Sequence, residues 1–201
     1  MTYQFNIQIK GTREPLVWRQ LRVPASITLD IFHNVIQEAF GWYDEHLYQF
    51  SKNGLEDRLA YKVPDAYDGT NGDIVKDSRK VRVCDLFTKI NQTMTYLYDF
   101  GDGWHHQVQL ESVSEDILSR AECTGGAGKC PPENSGGVHG YKEMLPLLTD
   151  PAHPEHEELK EWIGMESDEE WDPQAFDLKK TNQRLRLTQF EPETYPWDKI
   201  Q

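Results

Sequence analysis

The stretch Tyr98-Asp99-Phe100-Gly101-Asp102-Gly103-Trp104-His105-His106 constrains the fold of this chain more than any other. Apolar and polar residues alternate on both of its flanks and meet at Gly-Asp-Gly, the composition of a tight reversal between two strands. A three-residue loop predicts Phe100 opposite Trp104, Asp99 opposite His105 and Tyr98 opposite His106. Tyr96, Tyr98, Phe100, Trp104, His106, Val108 and Leu110 then share one face, while Asp99, His105, Gln107 and Gln109 share the other. The first face has the residue types of a core. The second gathers titratable groups.

The same period of two opens the chain, where Tyr3, Phe5, Ile7 and Ile9 alternate with Gln4, Asn6 and Gln8. This predicts a strand with one buried face. Residues 16–23 predict a second strand, closed by Pro24. A helix follows, with Leu29, Phe32, Ile36, Ala39 and Phe40 as its apolar stripe. Thr28 is placed to cap it, Asp30 suits its positive end and Gly41 supplies the stop. His46, Tyr48 and Phe50 predict a third strand, and Leu59, Tyr61 and Val63 a fourth. Two strands, a helix and further strands give an α+β fold, here a β-grasp-like mixed sheet with one covering helix. Val83, Leu86 and Phe87 predict a short buried turn or helix that carries Cys84.

A length of 201 residues fits one generous domain, organised as a sheet domain over 1–118, an irregular segment over 119–140 and a helical tail over 141–201 packed on the same domain. The middle segment is rich in glycine and holds Cys123, Cys130, Pro131 and Pro132. In the tail, Tyr141, Met144, Leu145 and Leu148 form one helical stripe. Leu159, Trp162 and Ile163 form a second, between Pro154 and Gly164. Asp172-Pro173 is the cap and first turn expected of a third helix bearing Phe176, Leu178 and Leu185.

Charge separates these regions. Residues 1–110 hold 12 Lys+Arg and 14 Asp+Glu, a net of -2, whereas residues 111–201 hold 9 and 20, a net of -11. An overall charge of -13 repels phosphate backbones, so general nucleic-acid binding and anionic-membrane binding are disfavoured. The acidic tail is expected to present a solvated helical face over residues 155–172, a surface on which a basic protein partner could dock. No segment has the apolar length of a membrane span, and the first residues lack the pattern of a secretory leader. Three cysteines cannot all pair, and the expectation is a reduced, cytoplasmic protein.

Several segments together resemble the plasmid pRiA4b ORF-3-like family. They are Trp18-Arg19-Gln20-Leu21-Arg22-Val23-Pro24, Ala39-Phe40-Gly41-Trp42, Glu45-His46-Leu47-Tyr48-Gln49-Phe50, the hairpin above, Cys130-Pro131-Pro132-Glu133-Asn134-Ser135-Gly136-Gly137, Gly140-Tyr141 and Phe176-Asp177. The likeness runs over nearly the whole chain. It implies a fold and an association with plasmid-borne or mobile-element genes, and it implies no particular reaction. Some members carry a resolvase-like or transposon-passenger label, but recombinase chemistry needs a nucleophilic serine among arginines that hold a phosphate. The chain has no such cluster. It also departs from the family pattern at Ser135, where a third cysteine is usual, and at Asn134, where an aspartate is usual.

The leading functional expectation is a non-enzymatic binding or adaptor module. The alternative is a metal-dependent hydrolase or nuclease that draws on Asp99, Asp102, His105 and His46, with Asp99 and His105 orienting one another across the hairpin. Such a site would need the strand of His46 beside the hairpin. Cys123 and Cys130, separated by six residues, with His139 nearby, have the ligand types of a structural zinc site. Ser135 stands where a further thiolate would complete it. A Gly-rich loop holding two reduced thiols is the simpler reading, and a thiol nucleophile activated by His139 is a third. Residues 64–79 contain Asp65, Asp68, Asn71, Asp73 and Asp77, but their spacing does not match a calcium loop and predicts a solvated connection. Trp18, Trp42 and Trp104 are read as core residues, or else as the lining of an aromatic groove.

Overall fold

The computed structural model describes residues 1–65, 68 and 72–188. Among them a single sheet of eight strands carries the molecule. The strands are β1 (Thr2–Ile9), β2 (Trp18–Pro24), β3 (Tyr48–Ser51), β4 (Leu59–Lys62), β5 (Ile74–Asp77), β6 (Thr93–Tyr98), β7 (Trp104–Ser114) and β8 (Glu122–Ala127). Their spatial order is β5-β4-β3-β6-β7-β1-β2-β8, and every neighbouring pair is antiparallel except β4 with β5. The fold is α+β, and its principal helix α1 (Leu29–Phe40) covers one sheet face.

That face is built from the alternation. Tyr3, Phe5, Ile7 and Ile9 of β1 are buried, as are Tyr96, Tyr98, Trp104, His106, Val108 and Leu110 of the β6–β7 hairpin. Phe32 of α1 packs on Phe5 at 4.9 Å and on Phe50 at 5.8 Å between ring centroids. Removing each such side chain from water contributes about 1.5–3 kcal/mol. Gly41 ends α1 as expected, with φ +86° and its N–H donating to Gln37 O. Thr28 does not cap the other end with its side chain. The helix start is instead pinned by Leu29 N–H donating to Val81 O (2.9 Å), just ahead of the short helix α2 (Val83–Leu86).

The hairpin register differs from expectation. Tyr98 pairs with Trp104, Leu97 with His105 and Tyr96 with His106, so the loop spans residues 99–103. A shift of two residues preserves the faces, and the aromatic face is buried as its composition requires. The cross-strand pair Asp99–His105 does not form. Asp99 has left-handed backbone (φ +55°), and its Oδ1 accepts from Gly101 N–H (2.8 Å) and Asp102 N–H (3.2 Å). The carboxylate thus closes the turn that a three-residue loop would have made without it.

Three other stretches depart from the sequence reading. Residues 64–79 hold β5, paired parallel to β4, with Asp65 and Asp68 bonded to Lys62 and Asp77 to Arg79. Asn71 lies outside the described residues. The segment 119–140, expected to be irregular, supplies β8, the edge strand beside β2. Helix α3 (Gly137–Thr149) carries the expected stripe of Tyr141, Met144, Leu145 and Leu148 but starts inside the segment expected to be irregular, and α4 (His156–Trp162) covers only the first part of the helical face expected over 155–172. The third helix, α5 (Leu178–Leu185), begins later than Pro173 because Asp172 is spent on a local turn, and Asp177 accepts from Lys180 N–H (2.9 Å) as the cap. Helix α5 then lies along β8. Asn182 Oδ1 accepts from Cys123 N–H and its Nδ2 donates to Cys123 O, both at 2.9 Å, occupying two groups on the open edge of the sheet.

Candidate ligand cleft

The quoted sequence segments are far apart in the chain and meet at one end of the sheet. Trp42 Nε1 donates to Pro131 O (2.9 Å), and Tyr43 N–H donates to Glu133 Oε2 (3.0 Å). The Tyr98 hydroxyl donates to the other oxygen of Glu133 and accepts from Glu45 N–H (2.9 Å). Burial and the adjoining Glu133 carboxylate hold the Tyr98 phenol protonated by raising its pKa. Asn134 Nδ2 donates to Glu45 Oε2 (3.2 Å). Apart from the Tyr43 N–H, the bonds that seat residues 131–134 are therefore made by residues of the pattern. Gly137 completes the seat: a Cβ there would lie 2.2 Å from Asp102 O, and its φ is +67°.

The candidate hydrolase residues are dispersed or already engaged by this arrangement. Asp102 Oδ2 accepts from Gly136 N–H (3.0 Å), and His105 Nδ1 bonds Gly103 O (2.8 Å). His46, which precedes β3, reaches Asn134 Oδ1 (2.9 Å) and Asp99 Oδ2 (3.5 Å) through Nε2. His46 and Asp99 thus meet, and His105 is not with them. Of the zinc candidates, Cys123 is buried on β8 with its thiol donating to Gly125 O (3.2 Å), and Cys130 is half-buried at the start of the seated loop. His139 lies on the exposed side of α3, 3.6 Å from Glu143. Among the described residues, no three His, Cys, Asp or Glu side chains are grouped to hold a metal ion.

Beside the seated loop opens a cleft of about 880 Å³. Its walls come from the end of α1, residues 129–134, the end of α4 and the run into α5. Tyr43 and Trp162 stand at its rim, 83 % and 52 % exposed, while Trp42, Trp171 and Phe176 line its interior. This is the size of a small-molecule site, with large aromatic rings and charged side chains sharing its walls.

The most unusual group in the cleft wall is Arg19. It occupies the buried phase of β2, in line with Leu21 and Val23, and is only 3 % exposed. Its guanidinium lies between the Phe40 and Phe176 rings, 5.1 and 4.6 Å from their centroids. Four bonds satisfy it: Nε to Ala39 O (3.1 Å), Nη1 to Trp18 O (2.7 Å) and Ala127 O (2.9 Å), and Nη2 to Gly128 O (3.0 Å). Arg184 reaches from α5 to Glu38 O (2.8 Å). Helix α1 has no basic residue in its own last turn, so these two arginines complement its negative end from elsewhere in the chain. Lys129 stacks over Trp171 at 4.0 Å. Sequence reasoning missed Arg19, Arg184, Trp171 and Phe176 as site residues. The available signal was Arg19 itself, a charge in the apolar phase of a strand.

The resemblance noted above is matched by comparison with known proteins. The family described as "Plasmid pRiA4b ORF-3-like protein" matches residues 1–180. An uncharacterised protein, y4hQ, of Sinorhizobium fredii is 38 % identical over 156 residues, covering 75 % of each chain. The crystal structure of a protein of unknown function, MM3350, from Methanosarcina mazei Go1 matches with a TM-score of 0.71 and 34 % identity, over 89 % of this chain and 96 % of that one.

Proposed function

The chain belongs to the plasmid pRiA4b ORF-3-like family, and from that premise we propose that it is a non-enzymatic binding module whose ligand is a small molecule with a flat apolar body, held in the cleft between α1, residues 129–134 and α5. The observation that carries the reading is the aromatic lining: Trp42, Trp171 and Phe176 inside, with Tyr43 and Trp162 exposed at the mouth. Large aromatics left open to water at the rim of a preformed cavity favour a flat guest. By contrast, the hairpin carboxylates and His105 are bonded to backbone within their own turn or to the seated loop, which favours a scaffolding role there. The described residues contain no helix long and apolar enough to cross a membrane, and the three cysteines are free thiols. Free thiols fit a reducing compartment such as the cytoplasm.

The test is titration with N-phenyl-1-naphthylamine, a neutral two-ring fluorophore that brightens in apolar surroundings. We expect saturable binding, with tryptophan emission changing in parallel. Trp162→Ala should weaken it several-fold while leaving the melting temperature within about 2 °C, because substitution of a half-exposed side chain costs little stability. Binding that is unsaturable, or indifferent to Trp162→Ala, would overturn the assignment to this cleft.

A further inference from the structure

We propose that the ligand of this cleft carries an anionic group, a carboxylate or a phosphate, seated at the Arg19–Arg184 end with its flat body along the aromatic wall. This rests on the cleft being the binding site and adds the charge of the guest.

The argument begins with the cations. Arg19, Lys129, Lys180 and Arg184 all line the cleft, and none is paired with a carboxylate among the described residues. Beside Glu45, Glu133, Glu169 and Asp177, the cleft thus gathers four cations, in a chain with 34 acidic and 21 basic residues. They also oppose one another. Arg184 disfavours the charge of Arg19, and Lys180 that of Lys129. Burial adds to the cost at Arg19 and at Lys129.

The carboxylates that share the cleft are held by other donors. Glu133 is bonded by Tyr98 and Tyr43 N–H, and Glu45 by Asn134. Asp177 caps α5, and Glu169 accepts from Glu166 N–H. Glu169 and Asp172 do exert a favourable field on Lys129, so the lysine pair is partly balanced from the tail. Glu38 exerts a favourable field on Arg184 from α1, so that arginine too is partly balanced, whereas the titratable groups that act on Arg19 are Cys123, Cys130 and Arg184. Burial pushes the Cys130 thiol up to about 12 and raises that of Cys123, so both are neutral thiols at physiological pH and cancel none of the arginine charge. Carbonyl dipoles satisfy the Arg19 hydrogen bonds, yet a guanidinium held by dipoles alone keeps its net charge. An anion entering beside the two arginines would relieve their mutual repulsion, while the Phe176 and Trp171 rings cover its body.

The matched probe is 8-anilino-1-naphthalenesulfonate, which has the ring system of N-phenyl-1-naphthylamine plus one negative charge. We expect the sulfonate to bind on the order of tenfold more tightly at low salt, with part of the advantage surviving in 0.5 M sodium chloride because partly buried charge pairs are screened less than exposed ones. Arg184→Gln and, separately, Lys129→Gln should each lower the affinity for the sulfonate by a larger factor than the affinity for the neutral probe. Melting curves establish that each variant is folded, and an effect in either folded variant suffices. Displacement of the sulfonate by 2-naphthoate or by 2-naphthyl phosphate then identifies which anion the cleft prefers. Equal or weaker binding of the sulfonate would overturn the anion inference and leave the neutral binding module standing. Failure of both probes to saturate would instead overturn the cleft reading as a whole.

Discussion

His106 shows how far a single side chain departs from its usual chemistry here. It is fully buried, between the Phe40, Trp42 and Tyr96 rings at 5.1–5.3 Å between centroids, and its Nδ1 lies 2.9 Å from Trp104 O. That contact requires an Nδ1–H donor, which the neutral imidazole supplies, and burial lowers the pKa from 6.5 to about 3. The folded protein therefore stays unprotonated at a pH where the unfolded chain takes up a proton. The contribution is complete above pH 6.5 and is lost as pH falls toward 3, at no more than about 1.4 kcal/mol per pH unit. His106→Phe retains an aromatic ring without the titration. Between pH 7 and 5, the decline in its urea-unfolding free energy should be shallower than wild type by up to that slope. Equal slopes would show that His106 does not govern acid stability.

At the scale of elements, β8 is one of the two edges of the sheet, and α5 protects it through one residue. The Asn182 amide meets Cys123 N–H and C=O as a neighbouring strand would. Asn182→Ala uncovers both groups. Leaving two backbone groups without partners costs about 1–3 kcal/mol, less whatever water recovers. It also offers a strand edge to a second molecule. The expected outcome is a lowered urea midpoint together with a concentration-dependent larger species in light scattering. A variant that stays monomeric at high concentration would show that the bulk of α5, rather than the amide, guards the edge.

For the molecule as a whole, the tail is part of the sheet's own core. Leu185 of α5 is fully buried, Trp171 nearly so, and Arg184 and Phe176 reach the end of α1 and the guanidinium on β2. Sheet and tail are thus expected to unfold together. Far-ultraviolet circular dichroism, which follows the backbone, and tryptophan emission, which includes Trp162 and Trp171 of the tail as well as Trp18, Trp42 and Trp104, should give coincident urea transitions. An earlier transition by fluorescence that disappears in Trp162→Phe and Trp171→Phe variants would mean that the tail opens on its own. Opening would also dismantle the cleft, so ligand should raise both midpoints together.

Much of this was legible in the chain because periodicity is a local property. The buried faces of β1 and the hairpin, the stripe of α1 and its stop at Gly41, and the α+β order all follow from residues a few positions apart. A two-residue error in the hairpin register left the faces intact, since side chains alternate with period two. It could not leave the Asp99–His105 pair intact, because pairing depends on where the turn closes, and Asp99 closes it with its own carboxylate. The cleft depended on contacts no local pattern records. Arg19 is separated by 109 positions from Gly128, whose carbonyl it holds, and Arg184 by 146 from Glu38. Side chains that satisfy backbone groups across such distances carry no spacing to read. The strands and their inward faces were therefore written in the sequence, whereas the meeting of Arg19, Arg184, Phe176 and Trp171 around one cavity arose only when the tail folded back over the sheet's edge.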